Sequence, residues 1–248
     1  MRNLFDLLLP PVCLACDGLI ASGDSVRLVC RRCRTRLRAA PPPTCERCGA
    51  PRLRTGRLQN EPGCQECSAW PAQLLKARSA YLMHPPGDRI VHQIKYRGWS
   101  VLAQVMAQPM AAAWRSCAVA AEITLVTPVP TTTARMRERG YNQAELIARA
   151  LAATLGQECE LILERTTSKS TQTTLQPAAR GANVAGAFRL RSDAAERIQN
   201  GHILIVDDVL TTGATAIECT RTLVTAGARA VSVLTYVRAF DTQRLFGT

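Results

Sequence analysis

The chain has 248 residues, 47% of them hydrophobic and 4% aromatic, which is enough for a buried core in one large domain accompanied by a small one. Its formal net charge is +12, and residues 1–78 contribute +7 of this charge, from 13 basic and 6 acidic side chains. Such an excess indicates a polyanionic partner, of which nucleic acid is the foremost candidate, or simply an arginine-rich surface. The alanine-rich residues 101–121 contain Gln104, Pro109 and Arg115, which excludes a membrane span there.

The first motif along the chain is a run of four C-x-x-C pairs within residues 13–67. Two such pairs bring four thiolates to one tetrahedral Zn²⁺, and closed sites of this kind are structural, so the run predicts two zinc ions rather than disulfides or redox pairs. Sequential pairing gives a double zinc ribbon, and interleaved pairing, as in cross-braced fingers, is the alternative. The predicted ligands are Cys13, Cys16, Cys30, Cys33, Cys45, Cys48, Cys64 and Cys67.

Reduced thiols are typical of the cytoplasm, where we expect this chain to work. Residues 1–11 are too short and too interrupted for a signal peptide. The remaining cysteines, Cys117, Cys159 and Cys219, lie in apolar or helical segments and are expected only to pack.

After the cysteines, strands and helices alternate, which predicts an α/β domain with a parallel sheet. We place the zinc ribbons in residues 1–75 and the α/β domain in residues 76–248. The predicted strands are residues 77–83, 123–129, 161–164, 203–207 and 230–237. The predicted helices are residues 89–97, 104–119 with a break or new first turn at Pro109, 142–155 with Asn142 as N-cap, and 215–226 followed by Gly227.

The most informative segment is residues 203–215, where an apolar strand ends in two carboxylates and a loop rich in Thr and Gly enters a helix. Ligands of open parallel sheets bind beyond the carboxyl ends of the strands. Backbone N–H groups in a loop of small residues, with the positive end of the helix dipole, suit a phosphate. Asp207 and Asp208 are left for sugar hydroxyls or a divalent cation. The segment therefore predicts a site for a phosphorylated sugar, with a plain βα turn as the alternative.

Two further segments carry polar side chains that suit such a ligand. Residues 127–143 leave another strand end with three arginines in five positions, including Arg135 and Arg139, which suit a second phosphate cluster unless the loop is merely solvated. Residues 165–186 have almost no apolar periodicity and are interpreted as a mobile polar loop, with a disordered linker as the alternative. Lys95 could also reach a phosphate or simply lie on the surface.

Residues 203–215 closely resemble the phosphoribosyl-pyrophosphate (PRPP) signature of type I phosphoribosyltransferases. Over nearly the whole chain, the order of motifs is similar to that of the ComF/GntX family. The matching motifs are the cysteine-rich ribbon, Lys95 near a Gly, Pro128-Val129-Pro130 leading to Arg139-Gly140-Tyr141-Asn142-Gln143, then Gln172, Leu175, Arg180, Asn183-Val184 and Phe188, and finally the PRPP signature. The resemblance implies a type I phosphoribosyltransferase-like parallel sheet flanked by helices, with a small N-terminal double zinc-ribbon domain.

The resemblance also implies a Mg²⁺-dependent phosphoribosyltransferase that uses PRPP with an acceptor the sequence does not identify. Asp207 and Asp208 would hold the ribose hydroxyls, directly or through hydrated Mg²⁺, and the polar loop would close to exclude water. The departing pyrophosphate is expected on Arg135 and Arg139, with Lys95 as a further candidate. The 5-phosphate is expected on Thr211, Thr212, Gly213, Ala214 and Thr215. In purine-salvage phosphoribosyltransferases that have an acidic residue just before Thr-Gly, that carboxylate acts near the base. Here the position is Thr211, which argues against a hypoxanthine–guanine activity.

Members of the family are linked to natural competence and the use of external DNA, which leaves a non-catalytic alternative. In it, the fold senses PRPP or a nucleotide while the ribbons bind single-stranded DNA or a protein of the competence machinery. The basic ribbon residues that motivate this alternative are Arg31, Arg32, Arg34, Arg36 and Arg38. A third possibility is that the ribbons are only a folding scaffold for a partner interface.

Overall fold

The computed structural model describes residues 10–21, 24, 26–52, 64–117, 122–166 and 186–240. Its strands are β1 (Leu74–Leu82), β2 (Leu125–Pro128), β3 (Leu163–Arg165), β4 (Phe188–Leu190), β5 (His202–Leu210) and β6 (Ala230–Arg238). Its α-helices are α1 (Arg31–Arg36), α2 (Gly87–Tyr96), α3 (Leu102–Arg115), α4 (Thr133–Arg139), α5 (Gln143–Leu155) and α6 (Ala214–Thr225). Short 3₁₀ turns lie at Gln65–Cys67 and Glu196–Ile198.

A sheet of four parallel strands, in the order β1–β6–β5–β2, forms the centre of the described structure. The inner strands β5 and β6 are rich in aliphatic residues and buried on both faces, as in other parallel sheets covered by helices. On one face, Leu204 and Val206 pack in the cluster of α2, α3 and α5. On the other face, Ile203 and Ile205 pack in the cluster of α6 and the antiparallel β3–β4 pair. The side chains of β5 thus alternate between two cores.

β5 is longer at its carboxyl end than the predicted strand 203–207. It continues through both carboxylates to Leu210 because β6 pairs with it as far as Arg238, whereas β2 pairs with it only as far as Val206. The carboxylates therefore lie within a strand, at the point where one of its two neighbours has ended. One side of β5 is open at the edge where ligands of parallel sheets bind.

α3 crosses Pro109 without a break, so the predicted interruption is wrong. A proline inside a helix removes one backbone hydrogen bond and crowds the preceding turn. Met106, Met110 and Trp114 are almost fully buried on the same helix, and this apolar burial outweighs the lost hydrogen bond. Throughout the described ranges, no helix, α3 included, reaches the length and apolarity of a membrane span.

α4 is a helix where the sequence suggested a basic loop. Thr132 caps it, since its Oγ1 accepts a hydrogen bond from the backbone N–H of Arg135 at 3.2 Å. Gly140 ends it with a left-handed φ of 78°. The next helix, α5, begins as predicted, because Asn142 Oδ1 accepts a hydrogen bond from the backbone N–H of Ala144 at 3.1 Å. The arginines of α4 are therefore held on an ordered turn beside the end of β2.

The two cysteine-rich ribbons lie on opposite faces of the sheet and belong to its cores. Cys13 and Cys33 of the first ribbon share a hydrophobic cluster with α2 and α3. Cys45, Cys48 and Trp70 of the second ribbon share the cluster of α6 and the β3–β4 pair. Each ribbon thus contributes to one of the cores that enclose the central sheet.

Both ribbons also bind the backbone of the edge strand β1. The backbone N–H of Leu82 donates to the carbonyl of Arg38 at 2.7 Å, and that of Ala77 donates to the carbonyl of Arg47 at 2.8 Å. An edge strand with unpaired N–H groups invites association with other chains, and these bonds satisfy two of those groups.

Candidate functional site

The eight cysteines of the C-x-x-C pairs form two clusters, which confirms the sequential pairing and makes the interleaved alternative wrong. Within each cluster, the four Sγ atoms all lie within 4.8 Å of one another. The Sγ atoms of Cys48 and Cys64 are 3.7 Å apart, close to the edge of a tetrahedron around Zn²⁺ with Zn–S distances of about 2.3 Å. The first cluster is Cys13, Cys16, Cys30 and Cys33, and the second is Cys45, Cys48, Cys64 and Cys67.

Backbone N–H groups favour the thiolate form that zinc binds at one cysteine of each cluster, whereas burial raises the pKa of Cys30, Cys33, Cys48 and Cys67. Ala15 and Cys30 donate to Cys13 Sγ at 3.4 and 3.3 Å. Burial by itself raises the pKa of Cys13, but such donors bring it down to about 7. Burial and backbone donors act in the same opposed way on Cys45, whose pKa is also about 7. Four clustered Sγ atoms at each site, one of them from a cysteine with a lowered pKa, fit two closed, structural zinc sites.

The two carboxylates of β5 lie on opposite faces of the sheet, because consecutive residues of a strand alternate. Asp208 lies on the face of α2, where its Oδ2 forms an ion pair with Lys95 Nζ at 2.7 Å. The Asp208 side chain is 4% exposed and that of Lys95 is 21% exposed. From the sequence, Lys95 could either bind a phosphate or simply lie on the surface. In the structure it is the counter-ion of a buried carboxylate.

Asp207 lies on the other face, beside α6. Its Oδ1 accepts a hydrogen bond from the backbone N–H of Asp208 at 2.8 Å. Burial and the negative charge of Asp208 raise the pKa of Asp207 well above its usual range, and Lys95 offsets this only in part. The charged form of Asp207 is thus one that a divalent cation or a hydroxyl donor would stabilise.

The loop after β5 encloses a small cavity at the start of α6. Gly213 has a φ of 84°, and Thr212 Oγ1 accepts a hydrogen bond from the backbone N–H of Ala214 at 3.4 Å. The first N–H groups of a helix have no partner within it and, with the dipole, favour an anion at this end. The cavity measures about 20 Å³, room for about one water molecule, so a phosphate would sit at its mouth. Its polar wall includes Asp207, Thr211, Gly213, Thr215 and Thr235.

Arg139 of α4 lies next to the end of α2 that carries Lys95. The guanidinium of Arg139 is 4.9 Å from the centre of the Tyr96 ring and donates to Gln143 Oε1 at 2.9 Å. Arg135 is exposed on the same helix. Of the two predicted pyrophosphate residues, Arg139 is therefore held in place by its neighbours and Arg135 faces solvent.

Arg165 is a further basic residue at this site, which sequence reasoning placed only at the start of a loop. Its guanidinium lies 5.2 Å from the centre of the Phe188 ring. Burial and the positive charge of Arg135 lower the pKa of Arg165, while Asp207 acts in the opposite direction, so the three charged groups are electrostatic neighbours. No sequence signal distinguishes Arg165, because its position depends on the pairing of β3 with β4.

Most of the predicted mobile polar loop lies outside the described residues. Residues 167–185 of the 165–186 loop lie outside the described residues. The same holds for the motif residues Gln172, Leu175, Arg180, Asn183 and Val184.

Three comparisons relate this architecture to known proteins. Residues 4–68 match the model of the double zinc ribbon domain. DNA utilization protein YhgH of Salmonella typhi is 33% identical over 234 residues, covering 92% of this chain and 96% of the relative. Competence protein ComFC of Bacillus subtilis (strain 168) is 25% identical over 251 residues, covering 92% of this chain and 95% of the relative.

Among solved structures, glutamine PRPP amidotransferase from B. subtilis, complexed with ADP and GMP, is 22% identical with a TM-score of 0.34. That match covers 54% of this chain and 25% of the amidotransferase, so it spans about a quarter of the latter's length.

The molecule is a double zinc ribbon joined to an α/β domain with a parallel sheet flanked by helices. The relationship to YhgH extends over nearly the full length of both chains. The chain belongs to the ComF/GntX family.

Proposed function

We propose that this chain binds PRPP with Mg²⁺ and acts as a phosphoribosyltransferase on an unidentified acceptor. The observation that carries the proposal is the shared cavity of Asp207, Thr211, Gly213 and Thr215, at the carboxyl end of β5 and the start of α6. It joins a carboxylate to a phosphate-binding helix start, as a phosphorylated sugar requires. The site belongs to the proposed domain of residues 76–248, and the reduced thiols of the ribbons in residues 1–75 support a cytoplasmic location.

The proposed division of labour follows from the two faces of β5. Asp207 would hold the ribose hydroxyls or Mg²⁺, which usually takes one or two carboxylates together with substrate phosphates. When bound, Mg²⁺ would neutralise charge on the pyrophosphate. Lys95 neutralises Asp208 and thereby fixes the end of β5, while Arg135 and Arg165 supply positive charge for the departing pyrophosphate. Thr211–Thr215 would bind the 5-phosphate through their N–H and hydroxyl groups.

Asp207→Asn tests the proposal. The wild type is expected to bind PRPP with Mg²⁺ in a calorimetric titration, and the variant to bind at least about tenfold more weakly, because a hydrogen bond to a charged group is worth about 1.5–3 kcal/mol. Asp193→Asn is the matched control, since Asp193 is exposed and pairs with Arg191 away from the cavity. A wild type that binds no PRPP with Mg²⁺, or a variant that binds it as the wild type does, overturns the proposal.

The same variant carries its own control for folding. A carboxyl group whose pKa is higher in the folded chain binds more protons there than in the unfolded chain, so stability falls as pH rises through the folded pKa. Asp207→Asn removes this penalty. We expect its thermal midpoint above that pKa to equal or exceed that of the wild type, so lost PRPP binding cannot be attributed to unfolding.

A second candidate function, binding of single-stranded nucleic acid, is favoured by an exposed aromatic and basic surface. Tyr96 is 57% exposed and Trp99 is 41% exposed, with Arg97 between them and Arg139 against Tyr96. Aromatic rings that stack on bases, beside guanidinium groups that track the backbone, are typical of such binding. The names of the relatives, DNA utilization protein and competence protein, point the same way.

The ribbon offers a competing surface for the same ligand. Arg31, Arg32 and Arg36 are exposed on α1, whereas Arg34 forms an ion pair with Asp24.

We expect Trp99→Ala to weaken binding of a fluorescent oligothymidylate about tenfold with the salt dependence unchanged, since stacking is worth about 1–3 kcal/mol per base. Leu161→Ala, also at an exposed apolar residue, should have no effect. A second variant replaces the exposed arginines Arg31, Arg32 and Arg36 of α1 by serine. If only this variant weakens binding, and its affinity depends less steeply on salt concentration, the aromatic surface is not the nucleic-acid site.

A further inference from the structure

The second ribbon directly contacts residues Thr211–Thr215, which we propose for the 5-phosphate and call the phosphate loop. Trp70 follows the Cys64–Cys67 knuckle and is 6% exposed. A Cβ added to Gly213 would lie 3.0 Å from Trp70 Cζ2 and 3.2 Å from Trp70 Nε1, so the indole rests on the glycine backbone. Trp70 is not part of the cavity wall. The ring therefore supports the loop from outside the cavity.

A glycine is required at position 213 for two reasons. Its φ of 84° is a left-handed conformation that other residues adopt at a cost, and it allows the chain to turn from β5 into α6. The missing side chain also leaves the space that the indole fills. The conformation of the loop that we propose for the 5-phosphate is thus set in part by a residue of the zinc ribbon.

Trp70 is in turn held by the second zinc site. Its backbone N–H donates to the carbonyl of Cys67 at 3.2 Å. Arg47, which lies between Cys45 and Cys48, donates from Nη1 to the Cys67 carbonyl and from Nη2 to the Trp70 carbonyl, both at 3.2 Å. One guanidinium therefore joins the two knuckles of this site to the backbone of Trp70.

Further bonds of Arg47 extend this network toward the sheet. Its Nη2 donates to the carbonyl of Pro71 at 2.6 Å, and its Nε donates to the carbonyl of Leu74, the first residue of β1, at 3.2 Å. The guanidinium also lies 6.0 Å from the centre of the Trp70 ring. Loss of zinc would free both knuckles and remove the frame that positions the indole.

We propose that Trp70 links zinc binding at the Cys45–Cys48–Cys64–Cys67 site to ligand binding at the phosphate loop. This inference rests on the proposed function, since PRPP is the ligand that it invokes. Linkage is reciprocal: if zinc at this site raises the affinity for PRPP, PRPP raises the affinity for that zinc by the same factor. The first zinc site packs on the opposite face and serves as an internal reference.

The experiment is a chelator titration of the zinc-loaded protein, with zinc release followed by a colorimetric indicator in the presence and absence of PRPP and Mg²⁺. In the wild type, one of the two zinc equivalents should be retained about 5-fold or more tightly with PRPP, the lower range of typical linkage factors. Asp207→Asn is run in parallel, because any effect of PRPP on free zinc or chelator persists there while binding at the site does not.

Substitutions at Trp70 decide whether the linkage runs through the indole. Trp70→Phe retains a ring but lacks the indole atoms that approach Gly213, so it should fold and lose most of the shift. Trp70→Ala should lose all of it. Trp114→Phe makes the same change in the other core and should keep the shift.

Two outcomes overturn the inference, and they are distinguishable. A wild type that binds PRPP but releases both zinc equivalents at unchanged chelator concentrations, or a Trp70→Phe variant with the full shift, refutes the linkage and leaves the proposed function intact. A wild type that binds no PRPP in the calorimetric titration refutes both.

Discussion

Replacement of Lys95 by Met is expected to lower the free energy of unfolding by about 3–5 kcal/mol, because it leaves the buried carboxylate of Asp208 without its cation. The two groups are 2.7 Å apart, and the Asp208 side chain is only 4% exposed. Urea unfolding at neutral pH, followed by circular dichroism, measures this loss as a lower midpoint.

The controls separate the ion pair from other roles of a lysine. Lys95→Met combined with Asp208→Asn should recover most of the loss, since the carboxylate that Lys95 neutralises is then absent. Lys76→Met should cost little, because Lys76 Nζ donates to the neutral backbone carbonyl of Glu46 and, among the residues that the structure describes, forms no ion pair. If Lys95→Met unfolds like the wild type but loses PRPP affinity, Lys95 is a ligand residue rather than the counter-ion of Asp208.

Removal of both zinc ions is expected to unfold the central sheet together with the ribbons. Cysteines of both sites are members of the clusters that cover the two faces of the sheet. Structural zinc contributes about 10–16 kcal/mol of binding free energy in small ribbons, which is comparable with the whole stability of a domain, about 5–15 kcal/mol. The far-ultraviolet helix signal should therefore disappear once both zinc equivalents have been released.

This expectation distinguishes an integral ribbon from a detachable one. Most helical residues of the described chain lie after residue 75, so the helix signal reports on the α/β domain. The same chelator saturated with zinc beforehand is the control. If two zinc equivalents are released and the helix signal survives, the α/β domain folds by itself, and the boundary at residue 75 separates two independent units.

Several site features could be predicted because they depend on short stretches of chain. The C-x-x-C spacing by itself indicated zinc, and the residues from β5 to α6 indicated a phosphate loop at a strand end. The opposite faces of Asp207 and Asp208 also follow from strand alternation, once β5 is known to continue to Leu210. That continuation depends on β6, which supplies hydrogen bonds beyond the end of β2, and this is not visible in a local apolar pattern.

Other features depend on which segments meet. Pro109 predicted a break in α3, but the burial of Met106, Met110 and Trp114 keeps the helix continuous. Only packing shows whether such burial is available. The three arginines in five positions before Gly140 predicted a basic loop at the strand end, and the segment is instead a helix that Thr132 caps.

By itself, the amino-acid sequence determined the two zinc sites, the alternation of strands and helices, and the position of the Thr- and Gly-rich loop between β5 and α6, because each is encoded by spacing within a few tens of residues. Only the tertiary structure decided that Lys95 neutralises Asp208 and that Trp70 supports Gly213. The physical reason is distance along the chain: these contacts join segments far apart in sequence, and burial of apolar surface in the two cores brings them together.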